Sequence, residues 1–119
     1  MPRSDAEHKS QVALINAFRL KYPKLKSYLF AIPNGGHRHV RVAAKLKREG
    51  VMSGVSDLFF AYPVGNHSGL WIEMKTPKGR VQPSQKEFMS RMQSVGYEAK
   101  IARSAAEGLE IIDAYITGK

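Results

Sequence analysis

Asp57 ends the run Gly54-Val55-Ser56-Asp57, at the mouth of the apolar segment Leu58–Tyr62, and Glu73-Met74-Lys75 begins sixteen residues after it. A strand alternates its side chains, so Glu73 and Lys75 share one face. If the two strands pair, Asp57 lies close to Glu73, and two carboxylates at the end of a buried sheet repel each other. A divalent cation relieves that repulsion, and hard carboxylate oxygens suit Mg²⁺ or Mn²⁺. A lysine beside the cation can orient an attacking water or stabilise charge developing on a phosphoryl group. The backbone carbonyl of Met74, between the two, is a further candidate ligand. Singly, these residues have ordinary uses: Asp57 as a turn cap, Glu73 and Lys75 as a solvent-facing pair. Together in a central apolar strand they are costly unless used.

Glu7 lies one helical turn before Gln11, with Leu14 and Phe18 further along the same face. A face that is apolar along most of its length thus begins with a carboxylate, which can reach the same cation. An acidic residue in a first helical turn is equally what the helix dipole favours. Asn34-Gly35-Gly36-His37-Arg38-His39 is a glycine-bearing loop before a helix, and Asn34, His37 and Arg38 are candidates for phosphate contact. Arg38, Arg41, Lys45 and Arg48 recur at i, i+3, i+7 and i+10 and make one basic face. Lys78 and Arg80 follow the Glu73-Met74-Lys75 strand and can reach the same backbone. Such stripes also serve as plain solvated surface; the overall charge favours phosphate.

The elements that must hold these residues follow from the hydrophobic period. Asp5–Lys21 reads as a helix, Tyr28–Ile32 as a short strand, and Arg38–Glu49 as a helix with Val40, Ala43, Ala44 and Leu46 turned inward. Leu58–Tyr62 reads as a strand covered on both faces, with Phe59 and Phe60, like Trp71, in the core. Leu70–Lys75 is a strand with Leu70, Ile72 and Met74 on one side. Pro83 opens a helix with Phe88, Met89 and Met92 inward, ended by Gly96. Glu98–Ala102 alternates as a strand. Ser104 with Glu107 forms a capping box for a last helix that buries Leu109, Ile112 and Ile116. The order α-β-α-β-β-α-β-α predicts one α/β domain over residues 1–119: a small mixed β-sheet flanked by helices, its second and third strands antiparallel and its third and fourth parallel.

The 119 residues carry 19 Lys and Arg against 10 Asp and Glu, a formal charge of +9. A polyanion is the simplest partner for so small and basic a chain, nucleic acid before a membrane surface. The 43% hydrophobic content excludes a disordered chain, and the lack of cysteine excludes disulfides and thiolate–zinc sites. The sequence shows no membrane span and no apolar signal segment, so a cytoplasmic setting is expected.

Glu7 with Gln11, Pro33-Asn34-Gly35-Gly36, Gly54-Val55-Ser56-Asp57, Ile72-Glu73-Met74-Lys75 and Gln85 with Phe88 together resemble the virus-type replication-repair nuclease (VRR-NUC) domain, a branch of the PD-(D/E)XK nuclease superfamily. The resemblance runs from about Asp5 to Tyr115. It implies a restriction-endonuclease-like core, metal ligation by Glu7, Asp57 and Glu73, a catalytic role for Lys75, and Gln85 near the site. Ser56 stands where the superfamily pattern has proline, a minor departure because serine also supports a turn. Gln85 itself sits in a first helical turn whose free N–H groups favour an anion, or is simply a helix-start residue. The resemblance further implies a Mg²⁺- or Mn²⁺-dependent DNA endonuclease, acting in a bacterial cell or a phage-infected host. The preferred expectation is a homodimeric Holliday junction resolvase. Two others stand beside it: a flap or end nuclease that depends on a replication or repair partner protein, and a non-catalytic nucleic-acid-binding module.

Overall fold

A computed structural model describes residues 5–33 and 40–118 and, except for Val40, their side chains. The elements in chain order are α1 (Asp5–Lys21), a short 3₁₀ helix (Pro23–Tyr28), β1 (Leu29–Ala31), α2 (Val40–Arg48), β2 (Leu58–Phe60), β3 (Leu70–Met74), α3 (Pro83–Ser94), β4 (Glu98–Ala102) and α4 (Ala105–Thr117). The strands form one mixed sheet in the order β1-β2-β3-β4. β1–β2 and β2–β3 are antiparallel and β3–β4 is parallel, as the strand lengths and connections predict.

One face of the sheet makes the core. Leu29, Leu58, Phe60, Leu70, Ile72, Met74 and Ala102 are buried there against Leu14 and Phe18 of α1 and Ile112 and Tyr115 of α4. α1 carries Asp5 and Glu7 in its first turn and Arg19 and Lys21 in its last, the charge order its dipole favours. Gly108 lets α1 approach α4, since a Cβ there would stand 2.6 Å from a Leu14 methyl. The last helix therefore buries Gly108, Ile112 and Tyr115, while Leu109 and Ile116 are only half-buried. Its cap also differs from the expected box. The Ser104 hydroxyl accepts from the Glu107 N–H, but the Glu107 carboxylate reaches past Ser104 to the Arg103 N–H, at 2.8 Å.

The other face is covered in part by α3. Phe88 meets Trp71 edge to face at 5.0 Å, and Trp71 stacks on Phe59 at 4.2 Å. Phe59 and Trp71 are consequently half-buried on this second face, and only Phe60 joins the main core. α2 departs further from expectation. Ala43 and Ala44 are exposed, Val42 is 48% exposed, and Leu46 alone is half-buried. A nine-residue helix with four cations has too little apolar surface to dock both sides, so its apolar stripe stays at the outside of this chain. The expected position of Val40 lies outside the described side chains. The 3₁₀ turn after α1 has no counterpart in the sequence pattern. No helix among the described residues is long and apolar enough to cross a membrane.

Candidate active site

β2 and β3 pair with Leu58 opposite Ile72, so the register continued by one residue sets Asp57 opposite Glu73. Both are buried, Asp57 at 7% exposure and Glu73 at 3%. The Asp57 backbone carbonyl accepts an N–H from Ile32, the residue that follows β1, at 2.8 Å. Its carboxylate accepts the Met74 N–H at 2.8 Å. Glu73 is held from the opposite side: Gln85, third residue of α3, donates its amide to Glu73 Oε2 at 3.0 Å while its own carbonyl oxygen accepts the Gln82 N–H at 2.8 Å. Gln85 thus fastens the start of α3 to the carboxylate.

The loop before Asp57 is positioned by Gly54. Its φ is +88°, and a Cβ there would stand 2.5 Å from the Ser84 carbonyl oxygen. The loop therefore rests directly on the first turn of α3, beside Gln85. Gly54→Ala combines left-handed strain with a backbone clash and is expected to cost about 3 kcal/mol in a urea melt. Gly50, at φ +102° with open space where a Cβ would stand, supplies the contrast. Gly50→Ala is expected to cost about 1 kcal/mol, from conformation alone. Equal losses in the two variants would show that contact with Ser84 does not hold the loop.

The electrostatics are those of a crowded carboxylate pair. Burial pushes the Glu73 carboxyl up to about 9, the charge of Asp57 pushes it the same way, Lys75 opposes, and Glu7 adds a smaller upward push. Lys75 is itself buried, at 8% exposure, and its backbone N–H is fixed by the Ala102 carbonyl at 2.9 Å. Glu73 Oε1 is fully buried with no hydrogen-bond donor among the described residues, and so is the Ser56 hydroxyl. An acceptor oxygen stranded in this way, beside a second carboxylate, is suited to a hard cation. Asp57 and Glu73 fit such an ion. Glu7 is half-buried and near enough to influence Glu73. Among the described residues no group of three acidic or histidine side chains is already arranged to hold a metal.

The basic residues fall in two places. Arg41, Lys45 and Arg48 are exposed along α2, and Lys78 and Arg80 are exposed on the turn that follows Lys75. Asn34, His37 and Arg38 lie outside the described residues. The turn carrying Lys78 and Arg80 is clamped by a residue the sequence did not point to. Arg103 donates one guanidinium nitrogen to the carbonyls of Thr76 at 2.9 Å and Gly79 at 2.8 Å. Its acceptors are backbone atoms more than twenty positions away, which leave no pattern in side-chain types.

A family model for the VRR-NUC domain matches residues 5–106. The chain belongs to the VRR-NUC family. A solved structure titled "VRR_NUC domain protein" superposes with a TM-score of 0.84 at 28% identity, over 97% of this chain and 91% of that one. No curated protein matches. VRR-NUC membership implies a nuclease of the PD-(D/E)XK type.

Proposed function

We propose that this VRR-NUC chain hydrolyses phosphodiester bonds in branched DNA, as a homodimeric Holliday junction resolvase using Mg²⁺ or Mn²⁺. The observation that carries the hydrolytic reading is the stranded Glu73 Oε1 facing Asp57, a pair that burial makes expensive and a cation makes favourable. Asp57 and Glu73 would hold the ion, with Glu7 and the Met74 carbonyl as further ligands. When bound, it supplies Lewis-acid polarisation of the phosphate and a more acidic water. Lys75 stabilises the charge that builds on the phosphoryl oxygens, and Gln85 keeps the Glu73 carboxylate in one orientation. Arg41, Lys45, Arg48, Lys78 and Arg80 bind the phosphodiester backbone without reading bases.

A junction is resolved by cutting two strands of like polarity, which two sites related by a two-fold axis achieve. Each chain offers one Asp57/Glu73/Lys75 site. The exposed apolar side of α2, with Val42 at 48% and the following Val51 and Met52 at 40% and 52%, favours a second copy as its cover. Incubation with labelled duplex, single strand, flap and four-way junction, with Mg²⁺ or Mn²⁺, is expected to give paired symmetric nicks in the junction. Light scattering is expected to give about twice the chain mass of 13.3 kDa. A strict monomer that cuts flaps faster than junctions would replace this reading with the partner-dependent nuclease. A protein that binds the panel and cuts none of it would leave only a binding module.

A further inference from the structure

The second face of the sheet carries a row of aromatic rings that runs across the strands next to the row of the carboxylates. Phe30 of β1 is paired with Phe59 of β2, and Phe59 with Trp71 of β3. Their rings touch in sequence, at 5.8 Å between Phe30 and Phe59 and 4.2 Å between Phe59 and Trp71. Trp71 is roofed by Phe88 of α3, and Phe59 is flanked by Tyr97 at 5.9 Å. Phe30, at the edge strand, remains 45% exposed. Glu73 is two residues beyond Trp71, and Asp57 two residues before Phe59. By strand alternation both carboxylates therefore belong to this same face, one row on, about 7 Å along the strands.

An exposed phenylalanine on an edge strand is a liability unless something covers it. Phe30 borders a shallow cleft lined by Arg19, Lys26, Ser27 and Leu29. None of these residues is acidic and two are cations, in a chain of charge +9. The Phe30 ring lies on the α3 side of this edge, and Leu29 and α1 with Arg19 lie on the core side, so a ligand that wraps the edge meets a flat ring and, around the strand, two cations, as an unpaired base and its phosphate would. An apolar peptide would gain from the ring and nothing from the cations.

We propose that Phe30, Arg19 and Lys26 seat an unpaired nucleotide of the DNA strand being cut, the base stacked on Phe30 and its phosphate held by the two cations. The proposal rests on the nuclease reading and sharpens it. The enzyme selects DNA in which a strand leaves its duplex stack close to the scissile phosphate, because only such a strand can lay a base on the open end of the aromatic row.

Binding in chelator, by fluorescence anisotropy on the full chain, tests this apart from cleavage. The probes are a fully paired duplex and the same duplex with a single-stranded arm holding 2-aminopurine beside the branch. Phe30→Ala is expected to weaken binding of the armed DNA about tenfold, the loss of one stacked base, and to leave the duplex within twofold. Phe30→Trp is expected to retain affinity, and 2-aminopurine fluorescence to be quenched by the parent and by Phe30→Trp but not by Phe30→Ala. Arg19→Ala with Lys26→Ala is expected to flatten the dependence of log K on log salt by about 1.4 for the armed DNA. Equal armed-DNA affinity for Phe30→Ala and the parent overturns the seat, as does a parent dimer that Phe30→Ala turns into a monomer, which would place the ring in a subunit interface. The nuclease reading fails separately: a parent that shows the Phe30-dependent quenching but cuts no DNA with either metal keeps the seat and loses the hydrolysis.

Discussion

Glu73→Gln is expected to abolish cleavage and, in the absence of metal, to make the protein more stable. The first effect follows from removing a carboxylate oxygen from the proposed cation pair, and a loss on the order of 10³-fold or more is expected in single-turnover cleavage. The second follows from linkage. Glu73 holds its proton up to about pH 9 in the folded chain against an ordinary value of 4.5. Between those values the folded state binds more protons than the unfolded one, so the Glu73 contribution is fully present below about pH 4.5 and lost progressively as pH rises toward 9. At pH 7 the gap of about 2.5 units corresponds to at most about 3 kcal/mol. An amide carries no such cost. It can still accept the Gln85 hydrogen bond and can offer its N–H₂ to Asp57. Melts in chelator at pH 5, 7 and 8.5 are expected to show Glu73→Gln above the parent by about 5 °C or more at the upper two values, with the difference shrinking toward pH 5. Mn²⁺ is expected to raise the melting temperature of the parent and not of the variant, since a ligand that binds only the folded state stabilises it by mass action. A parent that outlasts Glu73→Gln at pH 8.5 without metal would mean that the carboxylate pair is not under strain.

How far the sequence carries is clearest at particular elements. The ends of α1 and β4 are legible because their signals are local: Asp5 and Glu7 against Arg19 and Lys21 for the helix, the polar–apolar alternation of Glu98-Ala99-Lys100-Ile101 for the strand. Pro83 marks the start of α3 for the same reason. The approach of Asp57 to Glu73 is legible too, because an antiparallel pair and a two-residue period fix which side chains meet. What is not legible depends on the third dimension. The inward side assigned to α2 fails because amphipathicity states which side is apolar and not whether anything lies against it. Phe59 and Trp71 read as core from composition, yet the sheet has two faces and α3 reaches only part of the second. Arg103 and Gly108 act through contacts with a distant turn and a distant helix, which no pattern of neighbouring residues encodes. Gln85 is intermediate: its place in a first helical turn is visible in the sequence, but its bond to Glu73 required the loop at Gly54 to seat α3 against the sheet.

Lys75→Met is expected to remove cleavage as completely as Glu73→Gln while leaving both metal binding and DNA binding in place. Lys75 is buried beside the carboxylates, and its charge is what pulls the proton affinity of Glu73 down against burial and Asp57. Its backbone is fixed to β4 through Ala102, so methionine keeps the stem in place and deletes only the ammonium. The proposed ion ligands stay intact, and Mn²⁺ is expected to raise the melting temperature of Lys75→Met, with a higher concentration needed because Glu73 now gives up its proton less readily. The cations proposed to bind the DNA backbone, Arg41, Lys45, Arg48, Lys78 and Arg80, are exposed and unchanged in this variant, so affinity for a four-way junction in chelator is expected to stay within twofold. Lys75→Arg is expected to recover little, because a planar guanidinium does not occupy the volume of a compact ammonium at a site this enclosed. The pairing of readouts separates the two roles: Glu73→Gln loses the metal-induced shift, and Lys75→Met keeps it, although neither cuts. If Lys75→Met cleaves within tenfold of the parent at saturating Mn²⁺, the buried ammonium serves only to offset the carboxylate charge, and stabilisation of the transition state must come from other groups.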